Sequence, residues 1–185
     1  MQSRIKGNYV ALFNSIAKVA ADYQVGVYVV GGFVRDLLLN TKNLDIDLVI
    51  EGDAISFTKK LAEKFDGQVE SYEKFGTSTL RLEGRISIDV ATARTEYYSY
   101  PAALPEVKPS KIKSDLFRRD FTINSMAIKL AGQGEFFLID LFNGEVDLKN
   151  GLIRVLHDRS FVDDPCRIFR AIRFEQRFDF CIEDK

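Results

Sequence analysis

The chain has 185 residues, 46% of them hydrophobic, and 26 Lys and Arg against 27 Asp and Glu give a formal net charge of −1. That is enough for one well-cored domain plus part of another, and the near-neutral balance makes no global electrostatic case for nucleic acid. No apolar run approaches the ~20 residues of a membrane span. A single histidine, His157, argues against a catalytic triad or a His-based zinc site. Cys166 and Cys181, too far apart on one predicted helix to bridge and without a signal sequence, point to a reducing cytoplasm.

Residues 4–23 read as an amphipathic helix with Val10, Leu12, Phe13, Ile16, Val19 and Ala20 on its inner face. An apolar strand, 26–30, runs into Gly31-Gly32, and a helix follows to about Leu39. Without Cβ atoms these glycines let backbone N–H groups approach a phosphate, and a helix N-terminus favours an anion. Arg35, one turn in, reaches the same place, and Asp36 caps or pairs with it. The plainer alternative is a tight strand-to-helix turn with surface charges, since the pattern is neither a P-loop nor GxGxxG.

Strand 44–50 places Leu44, Ile46, Leu48 and Ile50 at every second position, a buried face. Asp45 and Asp47 share the opposite face with Cα atoms about 6.5 Å apart. Carboxylates so close repel unless a cation lies between them, and hard oxygen ligands at this spacing suit Mg²⁺ with substrate phosphates. The alternative is a solvent-facing strand that carries two acids.

Residues 53–65 read as a helix opened by Asp53. Strands follow near 67–72, 77–83 and 85–92, the last two joined at Glu83-Gly84. Ile86, Ile88 and Val90 bury one face of the last, so Asp89 points to the other; beside Asp45 and Asp47 it would be a third carboxylate, able to activate an attacking hydroxyl, and otherwise it is an exposed acid on a hairpin. Arg94 and Glu96 follow at the strand end. Residues 94–113 read as a polar loop with Pro101, Pro105 and Pro109, 122–130 as a helix, 135–140 as a short hairpin, Asn143-Gly144 as a turn and 164–178 as a strong helix. The fold class is α/β (α+β), a mixed sheet of about five strands with flanking helices.

Two further constellations stand out. In Arg118-Arg119-Asp120-Phe121-Thr122-Ile123-Asn124, Thr122 is a candidate N-cap and Asp120 a partner for either arginine. Equally, Arg119 would contact phosphates and Asn124 or Asp120 a sugar hydroxyl; the residues alone leave both readings open. In Asp163-Asp164-Pro165-Cys166-Arg167, Asp164 then Pro165 is a good helix start. Arg167, Arg170, Arg173 and Arg177 fall within an arc of about 120°, opposite Ile168, Phe169 and Ile172. That stripe is either a solvated face or a binding face for a base and its triphosphate.

In order and spacing, Gly31 through Asp36, Asp45-Ile46-Asp47, Arg118 through Ala127, and Asp163-Asp164 with Arg167 resemble the class II tRNA nucleotidyltransferases and bacterial poly(A) polymerases, of the DNA-polymerase-β-like nucleotidyltransferase superfamily. The resemblance covers nearly all of the chain from about residue 26, and Ile88 through Glu96 is most similar to a subgroup that often follows DHH and CBS domains and includes members that add only the terminal A.

The resemblance implies a polymerase-β-like head over residues 1–156 and the start of a truncated helical neck over 157–185. It implies template-independent, Mg²⁺-dependent transfer of AMP from ATP, or of CMP from CTP, to the 3′ end of tRNA, with poly(A) addition to RNA 3′ ends as the alternative. Asp45 and Asp47 would hold two metal ions and Asp89 would be the third carboxylate. Gly31, Gly32 and Arg35 would hold the triphosphate; Arg119, with Asp120 and Asn124, would contact the nucleotide. Asp164 and Arg167 would read the base, with Arg170 and Arg173 adding contacts. Asp163 stands where the family often has Glu, and its shorter side chain would alter the base-site geometry. Much RNA-binding surface would lie in neck, body and tail domains, so the 185-residue piece alone is expected to bind ATP weakly and to extend tRNA poorly. A small-molecule nucleotidyltransferase is opposed by the base-reading motif. A non-catalytic nucleotide- or RNA-binding module is opposed by the intact Asp45 and Asp47.

Overall fold

A computed structural model describes residues 5, 7–41, 45–132 and 134–184. The amphipathic start forms α1 (Gly7–Asp22), and Val27–Val30 form β1, which turns at Gly31 into α2 (Gly32–Leu38). Ile46–Ile50 form β2; Leu44, the first apolar position of the expected strand, lies outside the described residues. Asp53 starts α3 (Ala54–Phe65) by accepting the N–H groups of Ile55 and Ser56 at 3.0 and 3.3 Å, a cap worth about 1 kcal/mol. Three strands then run back and forth, β3 (Gln68–Tyr72), β4 (Thr77–Arg81) and β5 (Ser87–Thr92).

The stretch expected to be a polar loop folds further. Arg94–Tyr97 (β6) and Glu106–Pro109 (β7) pair antiparallel, and Ile112–Phe117 form α4. The expected helix over 122–130 is instead a single 3₁₀ turn, Thr122–Asn124, followed by β8 (Met126–Gly132), which pairs with β9 (Glu135–Asp140). Met126, Ala127, Ile128 and Leu130 are all buried; a central strand covered on both faces shows a continuous apolar run, which periodicity cannot tell from a helix. Thr122 caps nothing: its hydroxyl donates to Asp147 Oδ2 at 2.6 Å. The chain ends with α5 (Gly144–Lys149), β10 (Leu152–Ile153), α6 (Ser160–Asp163), α7 (Cys166–Phe178) and β11 (Cys181–Ile182). Cys181 is therefore on a strand rather than on the helix of Cys166, and both thiols are free and exposed.

Among the described residues the sheet has seven strands, not about five, in the order β3-β4-β5-β2-β1-β8-β9, with β2 and β5 parallel. One face carries the main core: Ile46, Leu48, Ile50, Leu80 and Ile88 pack with Phe13 and Ile16 of α1 and Phe57 and Leu61 of α3. The other face is covered at its centre, where Tyr28, Val30, Val49 and Ala127 meet Leu116 of α4. Burying Leu116 fully there is worth about 1.5–3 kcal/mol. Toward β5, β4 and β3 that face is open, and the aspartates lie on it. Ala171 and Phe174 of α7 join the main core, and β11 pairs with β10. Among the described residues no helix is long and apolar enough to cross a membrane.

Candidate active site

The carboxylates are arranged by strand register. In the parallel β2–β5 pair Asp47 lies directly opposite Asp89, and Thr79 on β4 donates its hydroxyl to Asp89 Oδ1 at 2.6 Å. Asp45 is exposed at the mouth of β2. Burial pushes the Asp47 carboxyl up; Asp89 and Asp45 push it further, and Arg119 opposes them. A carboxylate crowded by two others and ionised only at a cost is the donor set that a hard divalent cation relieves. Among the described residues no three side chains of Asp, Glu, His or Cys are drawn together closely enough to hold a metal by themselves, so oxygens from a substrate would complete any shell there.

The glycine turn bears on the same point. Gly31 has φ +69° and ψ −133°, and a Cβ there would stand 2.9 Å from Arg119 Nη1 and 3.8 Å from Asp47 Oδ2. The glycine thus lets a guanidinium and a carboxylate close over the end of β1. Its own N–H is directed at the Met126 carbonyl at 3.4 Å, so Gly31 contributes the missing Cβ rather than a free donor.

Arg119 is held by a residue that lies outside every motif of the sequence. Asp115 of α4 is fully buried and accepts from Arg118 Nε and Nη2 at 3.0 and 2.8 Å, from Arg119 Nη2 at 3.1 Å and from the Arg94 N–H at 3.3 Å. Burial would raise its pKa, but Arg119 and Arg118 more than offset this and hold it below the usual carboxylate range. The signal was visible as an acid three and four residues before the arginine pair. Arg118 also pairs with Glu96 at 2.9 Å, and Tyr98 donates to Glu96 at 3.0 Å. Burial, then Glu96, pushes the Tyr98 hydroxyl up to about 12.

Helix α7 supplies the opposite wall. Asp164 has extended backbone and accepts the Cys166 N–H at 3.0 Å, and Pro165 already has helical dihedrals, the cap its sequence indicated. The arginine stripe faces the cavity. Arg167 is buried, donating Nη2 to the Arg118 carbonyl at 2.8 Å and lying 3.7 Å from Asp164. The apolar Ile168, Phe169 and Ile172 are the residues turned outward. Arg170 holds Asp120 Oδ2 at 2.7 and 2.6 Å. Asp120 Oδ1 accepts from Asn124 at 3.0 Å, and Asn124 accepts from Arg35 Nη1 at 2.6 Å. Arg35 is buried, paired with Asp36 at 2.8 Å and lodged against the rings of Phe174 and Phe178. A continuous polar chain therefore ties α2 to α7 through the 3₁₀ turn. His157 lies against Phe117, ring centroids 5.4 Å apart, and burial lowers its pKa.

These walls enclose a cavity of about 860 Å³, lined by seven arginines against five carboxylates, a balance that suits a polyanion. Gly31, Gly32, Arg35, Asp47, Arg119 and Asp120 line it on the side across from α7. Asn124 lines it from the 3₁₀ turn, and Asp164, Arg167, Arg170 and Arg173 from α7. Among the described residues, two buried guanidinium nitrogens in this wall, Arg119 Nε and Arg167 Nη1, have no partner. Asp89 lines a second cavity of about 320 Å³, shared with Asp47, Arg118 and Arg119. Asp45 lines neither.

The sequence pattern that produces this geometry matches the Poly A polymerase head domain over residues 27–154. The chain belongs to the Poly A polymerase head domain family. It is 50% identical over 173 residues to the A-adding tRNA nucleotidyltransferase of Geobacter sulfurreducens, 94% of this chain and 20% of that one. The fold superposes on the apo form II of a CCA-adding enzyme with a TM-score of 0.93 at 54% identity, covering 98% of this chain and 43% of the other. The Thermotoga maritima CCA-adding enzyme complexed with tRNA gives a TM-score of 0.86 at 51% identity, covering 98% and 41%. The chain thus spans less than half the length of these relatives.

Proposed function

We propose that this chain is the catalytic head of a template-independent tRNA nucleotidyltransferase, working in the cytoplasm, where its two free thiols stay reduced. It would transfer AMP from ATP to the RNA 3′ end, with CMP from CTP as the alternative that the CCA-adding relatives favour. The observation that carries the reading is the place of Asp47, on the wall between the arginine-lined cavity and the smaller one. One cavity has the charge for a triphosphate, and the other would admit the attacking ribose.

Arg119 and Arg167, with nitrogens left over after their structural bonds, would bind phosphate and base. Asp164 beside Arg167 offers an acceptor next to a donor for a base edge. The Arg35–Asn124–Asp120–Arg170 chain would fix α7 relative to the glycine turn. In the reaction the ribose 3′-oxygen bonds to the α-phosphorus, the bond to the β-phosphate oxygen breaks, pyrophosphate leaves, and the hydroxyl proton passes to Asp89. Asp45 and Asp47 would hold Mg²⁺, which supplies charge neutralisation on the phosphates and acidifies the hydroxyl. Residues 157–185 would be the start of a neck continuing into tRNA-gripping domains.

The test uses the full-length protein with tRNA ending at the discriminator base, at C or at CC, and ATP and CTP offered separately. The expected result is metal-dependent addition of A to the CC end, abolished by Asp45→Ala or Asp47→Ala. Efficient AMP transfer to a small-molecule acceptor with none to tRNA would overturn the assignment.

A further inference from the structure

Strand register places a row of side chains across the open end of the sheet. Glu70, Thr79, Asp89 and Asp47 are consecutive cross-strand partners on β3, β4, β5 and β2, and the neighbouring row begins with Tyr72 opposite Thr77. Tyr72, Thr77, Thr79, Asp89 and Asp47 line the smaller cavity. Hydroxyls and carboxylates line it beside Arg118 and Arg119, the two guanidinium groups that it shares with the larger cavity. Its far edge is the Tyr72 ring, 46% exposed and steadied by the bond from its hydroxyl to Glu70 at 2.5 Å. Two strand spacings and two residue rises put the Tyr72 and Asp89 Cα atoms about 12 Å apart, a span that one nucleoside bridges once the tyrosine side chain reaches in.

We propose that this face is the acceptor-end subsite, with the Tyr72 ring as the platform for the terminal base of the RNA and Thr79 as the positioning residue that aims Asp89 at the terminal ribose. The inference rests on the nucleotidyl-transfer reading above and adds residues to it. A single-stranded end offers an unstacked base, and aromatic side chains are the sequence-tolerant way to hold one. Thr79 spends its proton on Asp89 Oδ1, which leaves Oδ2 for the ribose hydroxyl. Arg118 and Arg119 lie in the lining shared with the larger cavity, whereas Glu70 and Asp89 disfavour a phosphate at the Tyr72 edge, so that edge takes a nucleoside rather than a run of RNA. Arg81, tied to Glu70 at 3.0 Å, partly neutralises that edge.

The test is steady-state extension of tRNA by the full-length protein, with KM for tRNA and for ATP measured separately. It is joined by fluorescence titration with a short RNA ending in 2-aminopurine, whose emission falls on stacking. Tyr72→Ala should raise KM for RNA by about 5- to 100-fold and weaken the quench. KM for ATP should stay within twofold, and Tyr72→Phe should restore both. Thr79→Val should lower kcat by about tenfold with both KM values unchanged, and Thr79→Ser should recover it. Because Tyr72 is exposed, its replacements leave the core intact. Wild-type turnover with an unchanged RNA KM in Tyr72→Ala overturns the proposal alone, as does an equal rise in KM for ATP. Absence of any RNA extension by the wild type overturns the nucleotidyl-transfer reading and this proposal with it.

Discussion

Replacing Asp115 by Asn should cripple the site from beneath. The carboxylate is fully buried and is the shared partner of Arg118 and Arg119, each of which keeps most of its side chain out of water. An amide of the same shape accepts at one atom and presents N–H groups to guanidinium donors at the other, so two buried cations lose their counter-charge. Breaking such a pair costs about 3–5 kcal/mol. For a chain of this length that is a fall in Tm of roughly 6–20 °C. Because Asp115 also holds Arg119 against the glycine turn, KM for ATP should rise about tenfold or more. The sign of the pH dependence follows from the depressed pKa. Stability from the ionised carboxylate is present above the unfolded value, about 3.9, and is lost as pH falls through the folded one. The difference between wild type and variant should therefore begin to shrink as pH falls below about 4 and close only below the folded value. Thermal and urea unfolding from pH 3 to 8, with ATP kinetics at pH 7, are the measurements. A variant within about 2 °C of wild type at pH 7, with unchanged KM, would refute the counter-charge argument.

Asp47→Asn should abolish transfer, by at least about a hundredfold, while stabilising the metal-free protein above pH 4. The folded pKa of Asp47 is raised, so its ionisation costs stability as pH rises through it, and the variant's unfolding curve should be flatter over that range. Gly31→Ala should destabilise by about 1–3 kcal/mol and raise KM for ATP, since the new methyl meets Arg119 at 2.9 Å; unchanged urea unfolding and kinetics would count against the close-approach role. Asn124→Ala removes bonds to Arg35 and Asp120 and should cost about 1.5–3 kcal/mol by urea unfolding. A neutral result would mean that Arg35 and Arg170 hold α7 without it.

Much of the candidate site was legible in local sequence because its chemistry is carried by short, differently spaced motifs. Gly31-Gly32 followed an apolar strand, Asp45 and Asp47 sat on alternate positions, and Asp164-Pro165 opened a helix with arginines at helical spacing. What went astray was partnering. Met126 to Leu130 looked helical because both sides of a central strand are apolar. The arginine stripe lines the cavity, with Arg167 buried, while α7 meets the core through Ala171 and Phe174 and leaves Ile168, Phe169 and Ile172 exposed.

By itself the sequence determined which groups were present and their local spacing: period-two carboxylates, the glycine turn and the Asp-Pro helix start, all set by backbone geometry within a few residues. Only the tertiary structure decided that Asp89 stands opposite Asp47, that Asp115 holds the arginine pair, and that Arg35 reaches Asn124 from 89 positions away. Those are matters of strand register and burial, and register across non-adjacent strands is fixed by packing the whole core at once.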